Sequence, residues 1–132
     1  MLVVAELIGF PDVETLILSV INPELATRLP GVQGYTKVPL TRPNEFVRVI
    51  RFGGPSETII SENALIIIEA WAQSETRAVT ILNMVRAILH AQDGSIFGVT
   101  EISGPNNLPD PLTSQIRYTQ NLGVRVRGTV IA

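Results

Sequence analysis

The sequence predicts an α+β fold, with residues 1–132 forming one domain in which a mostly antiparallel sheet of four to five strands packs with two main helices. Three observations predict it. Two segments place apolar residues three and four apart, as one face of a helix requires. Several others alternate or run continuously apolar, as strands do. Most of these strands are joined by loops, and the helices are too few to cross over between each pair, which favours antiparallel neighbours.

Taken in order, Asp12 after Pro11 caps a helix whose apolar face is Val13, Leu16, Ile17, Val20 and Ile21, and Asn22-Pro23 is expected to end it. Residues 26–29 then read as a short strand, and residues 31–43 as a loop punctuated by Gly31, Gly34, Pro39 and Pro43. Residues 46–52 form a strand with an arginine on each parity, Arg48 and Arg51. Gly53-Gly54-Pro55-Ser56 breaks it. Residues 64–72 are almost continuously apolar, which places that strand centrally, covered on both faces.

Ser74 and Glu75 open a second helix with Ala78, Ile81, Leu82, Val85, Ile88 and Leu89 on one stripe, stopped at Asp93-Gly94. Residues 96–102 are a further strand. The chain then enters the loop Gly104-Pro105-Asn106-Asn107-Leu108-Pro109-Asp110-Pro111. From residue 115 to 127 it alternates strictly: Ile116, Tyr118, Leu122, Val124 and Val126 on one parity, Arg117, Thr119, Asn121, Arg125 and Arg127 on the other. That is one long strand with an apolar face and an arginine-lined face.

Composition bounds the function. At 132 residues, 45% hydrophobic and 17% charged, the chain can bury one core without disulfides and still keep apolar surface for contact with copies of itself. A net charge of −2 gives no global case for nucleic-acid binding. Lys37 is the only lysine among ten basic residues; the arginines suit fixed, bidentate interface pairs, although a GC-rich genome gives the same bias. Cysteine is absent, which excludes thiolate zinc sites and disulfides. Glu6 follows Leu2-Val3-Val4-Ala5 with no basic residue ahead of the run, which argues against a signal peptide. The longest apolar run, residues 64–68, falls far short of the ~20 residues that span a bilayer, so a soluble cytoplasmic chain is expected.

Candidate chemistry is sparse. His90, the only histidine, sits in the last turn of the second helix and has no nucleophile or metal ligand at a recognisable spacing. Glu69 shares parity with Leu65, Ile67 and Trp71 and calls for a cationic partner, with Arg48, Arg51 and Arg117 as candidates. Gly53-Gly54-Pro55 lacks the lysine and helix start of a phosphate loop. The Asn106-Asn107 and Asp110-Pro111 pairs lack calcium-loop spacing. Arg117, Arg125 and Arg127 have no aromatic residue on their own parity, so they lack a stacking platform for single strands, and salt bridges between subunits are their expected use. No catalytic, cofactor or metal residue is assigned.

In this order of elements the chain resembles the tail terminator proteins of long-tailed (siphovirus-like) actinobacterial bacteriophages. The resemblance rests on Thr27-Arg28-Leu29-Pro30, Pro43-Asn44-Glu45-Phe46-Val47-Arg48-Val49, Glu69-Ala70-Trp71-Ala72 with Ser74-Glu75, the 104–111 loop, Arg117-Tyr118 and Val124-Arg125-Val126-Arg127-Gly128. It runs from the first helix to Gly128; the succession of motifs carries it, and no single motif is specific. The resemblance implies a non-enzymatic virion protein, at the tail top or neck and assembled in the host cytoplasm. Six copies would close into a ring that caps the tail tube, stops its polymerisation and meets the head-tail connector, with genomic DNA passing through the lumen unspecifically. Its implied partners are itself, the major tail tube protein and connector proteins, with no membrane. Arg48, Arg51, Glu69, Asn106, Asn107, Leu108, Asp110, Arg117, Arg125 and Arg127 are the candidate interface. Residues 31–40 are extended relative to the family's pattern, which leaves their role open, a partner-binding arm being one hypothesis. The alternatives are another neck or head completion protein and, from a different class, a small-ligand-binding ferredoxin-like domain.

Overall fold

The computed structural model describes residues 6–131; residues 1–5, on which the signal-peptide argument turned, lie outside them. The element order is β1 (Ile8–Gly9), α1 (Val13–Arg28), β2 (Gly34–Tyr35), β3 (Phe46–Gly53), β4 (Ser61–Ala72), α2 (Glu75–His90), β5 (Ile96–Asn107), β6 (Ile116–Arg127) and β7 (Thr129–Val130). Five strands form one sheet in the order β2-β3-β4-β6-β5, and β1 pairs with β7 in a two-stranded sheet. All pairings are antiparallel except β2 with β3. The α+β expectation holds and β4 is central, but it is covered on one face only: its even positions are buried under the helices, while Leu65 and Ile67 on the other face are half-buried, because no second layer packs there among the described residues.

Both helices lie on one face of the five-stranded sheet. Ala64, Ile66, Ile68, Ala70 and Ala72 of β4, Val47 and Val49 of β3, and Leu122, Val124 and Val126 of β6 point into one core with the helices. The α2 stripe is buried residue for residue: Ala78, Ile81, Leu82, Val85, Ile88 and Leu89. Burying each large member contributes about 1.5–3 kcal/mol, which holds α2 on the sheet.

β4 begins at Ser61, three residues before the expected start, and residues 34–35 of the expected 31–43 loop pair with β3 as β2; two further boundaries differ from the sequence expectation by more. Asn22-Pro23 does not end α1, and residues 26–29 are not a strand; the helix runs through Pro23 to Arg28. A proline inside a helix costs ~3 kcal/mol, but Leu25 and Leu29 are buried beyond it, continuing the line of Val13, Ile17 and Ile21. Their burial offsets that cost. Asn22 acts as a clamp instead of a stop: its Oδ1 accepts from Gly34 N at 2.7 Å and its Nδ2 donates to Gly34 O at 3.3 Å, holding β2 on the helix. A Cβ on Gly34 would come within 2.8 Å of Leu18 Cδ2 and 3.1 Å of Asn22 Oδ1, so glycine lets β2 approach the helix without displacing the Leu18 side chain or the Asn22 clamp.

The second difference is in the proline loop. Gly104-Pro105-Asn106-Asn107 belong to β5, which passes register shifts between Ile96 and Gly98, Glu101 and Ser103, and Ser103 and Asn106. β5 is an edge strand, so Pro105 removes no ladder bond on its solvent side, and the bulges blunt the exposed edge. The loop proper therefore begins at Leu108.

Candidate functional site

The face of the sheet turned away from the helices is where the sequence-designated residues gather. Odd positions of β4 and β6 and even positions of β3 point there. Strand pairing places Arg48 opposite Glu69, Glu69 opposite Thr119, Phe46 opposite Trp71, and Trp71 opposite Arg117.

A small second core forms at the end of this face where β4 finishes. Phe46 and Trp71 stack with ring centroids 5.0 Å apart, and Tyr35 meets Phe46 edge-on at 6.2 Å. The guanidinium groups of Arg42 and Arg117 lie 5.0 and 5.2 Å from the Trp71 ring. Desolvated cation–π contacts of this kind contribute up to about 2 kcal/mol. Glu69 is 7% exposed and completes the cluster. Its Oε2 lies 3.4 Å from Arg117 Nη1, its Oε1 lies 3.7 Å from Arg48 Nη1, and Trp71 Nε1 donates to Oε1 at 3.3 Å. Of the three proposed partners, Arg48 and Arg117 are therefore correct. Arg51 points to the helical side and pairs with Glu62 at 2.7 Å.

Arg117, Arg125 and Arg127 do have aromatic partners, contrary to the reading from their own strand. Arg117 lies over Trp71 of β4, while Arg125 and Arg127 lie 4.8 and 4.3 Å from the Phe97 ring of β5. Neighbouring strands supply the rings, which parity along one strand does not show. Arg125 also pairs with Glu57 at 2.7 Å, and Arg127 Nε donates to Gly94 O at 3.1 Å. Each arginine in the candidate set thus has partners within its own chain.

Beside the cluster, two loops are latched together. Arg42 Nη1 donates to Asp110 Oδ2 at 3.3 Å, Thr113 Oγ1 at 3.1 Å and Gln115 Oε1 at 3.2 Å. Hydrogen bonding from the Thr113 hydroxyl, joined by Arg42 and backbone amides, holds the Asp110 carboxyl below its ordinary value. Arg42 is the residue the sequence reading missed; its only signal was a lone arginine in a proline-punctuated loop. Leu108 is half exposed, and Leu40 and Leu112 protrude fully from the same end. Asn106 and Asn107 are exposed on β5 opposite Thr119 and Tyr118.

The centre of the open face is apolar. Ile50 pairs with Ile67, Leu65 neighbours them, all three half-buried, and Phe52 is 45% exposed. A cleft of about 410 Å³ opens beside Arg42, Asn44, Gln73 and Gln115, and its lining holds no carboxylate or histidine. His90 is on the opposite side of the sheet, with Nε2 3.9 Å from Glu101. Arg86, by hydrogen bond, holds the Glu101 carboxyl below its usual value. Among the described residues no three His, Asp or Glu side chains converge as metal ligands, and no helix is long and apolar enough to cross a membrane.

Chemically, the face suits recognition: anchored guanidinium groups, an apolar centre and latched loops, with no paired acid and base. No protein-family model and no curated protein matches this sequence.

Proposed function

We propose that the chain is a structural virion protein, a tail terminator of a long-tailed bacteriophage. In this reading six copies form a ring that caps the tail tube, ends its polymerisation and meets the head-tail connector, with DNA passing through the lumen. It has no catalytic role. The observation that carries the proposal is the convergence of four of the six resemblance-bearing segments, 43–49, 69–75, 104–111 and 117–118, on one end of one sheet face. Phe46 and Arg48 of residues 43–49, Glu69 and Trp71, Asp110 of the 104–111 loop and Arg117 are distant in sequence, yet they form one continuous cluster around Trp71 and the Arg42 latch. A cluster of anchored charges bordered by protruding Leu40, Leu108 and Leu112 fits a protein-binding end.

The test is a virion made without this protein. Tails of uncontrolled length that fail to join heads are expected, with the protein imaged as a ring at the tail top when present. Tails of normal uniform length would sink the assignment, and density on the head side of the neck would move it to a head completion protein.

A further inference from the structure

The two sides of the sheet differ in charge as well as in cover. On the open face five arginines, Arg42, Arg48, Arg117, Arg125 and Arg127, face three carboxylates, Glu57, Glu69 and Asp110. Arg48 and Arg117 share one carboxylate, and Arg127 pairs with none among the described residues. The helical side is the reverse. There each arginine has a carboxylate of its own, as in Arg28 with Glu24 and Arg86 with Glu101. Asp12, Glu14, Glu75 and Asp93 are left without a cation among the described residues. A domain of net charge −2 thus carries a positive face and a negative back.

Each side also has an apolar centre. The open face has Ile50, Leu65, Ile67 and Phe52. The back has a groove of about 280 Å³ between the C-terminal halves of α1 and α2, floored by Met84, Ala87, Ile88 and Ala91 and edged by the Glu24 and Arg28 pair.

We propose that the occupant of the open sheet face is the helical back of a second copy of this chain, so that subunits associate face to back. The match is in charge sign, positive against negative, and in the apolar centre each side presents. Two different patches meeting make a heterologous contact, which leaves one free face and one free back on every growing chain and closes only as a ring. Trp71, 2% exposed, and Phe97 are already covered by guanidinium groups, and the exposed Phe52 is a single ring, not the series of stacking platforms that single strands use. This deepens the ring in the proposed function by naming the surfaces that meet, and it rests on that reading for closure but not for the contact.

Two variants test it. Ile67→Lys adds charge to the open face and Ala87→Arg fills the groove from an exposed helical position, so circular dichroism should show both folded. Sedimentation of the wild type at rising concentration should show self-association that weakens with salt. Each variant alone should associate at least about tenfold more weakly. Mixed, they should form a one-to-one dimer and nothing larger, because only one intact face and one intact back survive between them.

Several outcomes overturn the contact. One is a wild type that stays monomeric at millimolar concentration; another is an Ala87→Arg variant that still dimerises, face to face. Retention of oligothymidylate by the wild type, lost in Arg125→Glu and without self-association, assigns the face to nucleic acid instead. The mixed dimer together with normal tail length in a virion lacking the protein would keep the contact and sink the tail assignment. Normal tail capping by Ala87→Arg would do the opposite.

Discussion

Arg117 Nη1 stands 3.4 Å from Glu69 Oε2 across the β4–β6 ladder, and the same guanidinium covers the Trp71 ring at 5.2 Å. Glu69 is almost fully buried and serves two arginines, so its charge cannot be removed without leaving both uncompensated. Glu69→Gln should lower stability by about 1–3 kcal/mol in urea unfolding. Arg48→Met should cost less, because Arg117 still neutralises Glu69. Equal losses for the two variants would contradict the shared-pair geometry.

The Arg42–Asp110 latch has a defined pH dependence. The Asp110 carboxyl titrates below its ordinary value of 3.8, so the stability it contributes is present above pH 3.8 and is lost as pH falls through the lower, folded value. Amide exchange at Ser114, whose N–H donates to Asp110 O, should stay slow down to that pH in the wild type. In Asp110→Ala it should be fast throughout. The core melting transition should move little in the variant, since the latch lies outside the helix-covered core.

Pro23 lies inside α1 and donates no backbone hydrogen bond. Pro23→Ala should raise stability by about 1–2 kcal/mol, measured by denaturant midpoint, if the helix already runs to Arg28. Leu25→Ala should lower it by about 2–5 kcal/mol. A strand beginning at residue 26 predicts neither.

Gly53 and Gly54 both have positive φ, +126° and +100°, but only Gly54 is crowded: a Cβ there would sit 2.1 Å from Asn63 O and 2.7 Å from Leu65 N. Gly54→Ala should cost about 3 kcal/mol or more, and Gly53→Ala about 1–2 kcal/mol, the conformational strain alone. The pair separates steric from dihedral cost in one turn.

How much was legible from sequence follows the range of the interactions. Ser74, Glu75 and the apolar stripe of α2 are local signals, and that helix formed as expected. The parity of β6 showed which residues share a face. Pro23 misled because the local rule that proline ends a helix was outweighed by burial of Leu25 and Leu29 against other elements. Pro105 misled because an edge strand tolerates what a central strand cannot, and edge position is a property of the sheet. Of the candidate site, Glu69 with Arg48 and Arg117 was readable because all three lie on strands at fixed parity. Arg42 was not, because a loop has no periodicity to place it.

By itself the sequence determined the α+β class, the central place of β4, the commitment of α2 to the core and the existence of an arginine-lined face. Those follow from side-chain periodicity, which the backbone imposes within a few residues. Only the tertiary structure decided that Trp71 and Phe97 from neighbouring strands cover those arginines. It also decided that Arg42 latches two loops 68 residues apart, and that positive and negative charge separate onto opposite sides of the sheet. The physical reason is strand order and register, set by burial across the whole chain, which no local spacing records.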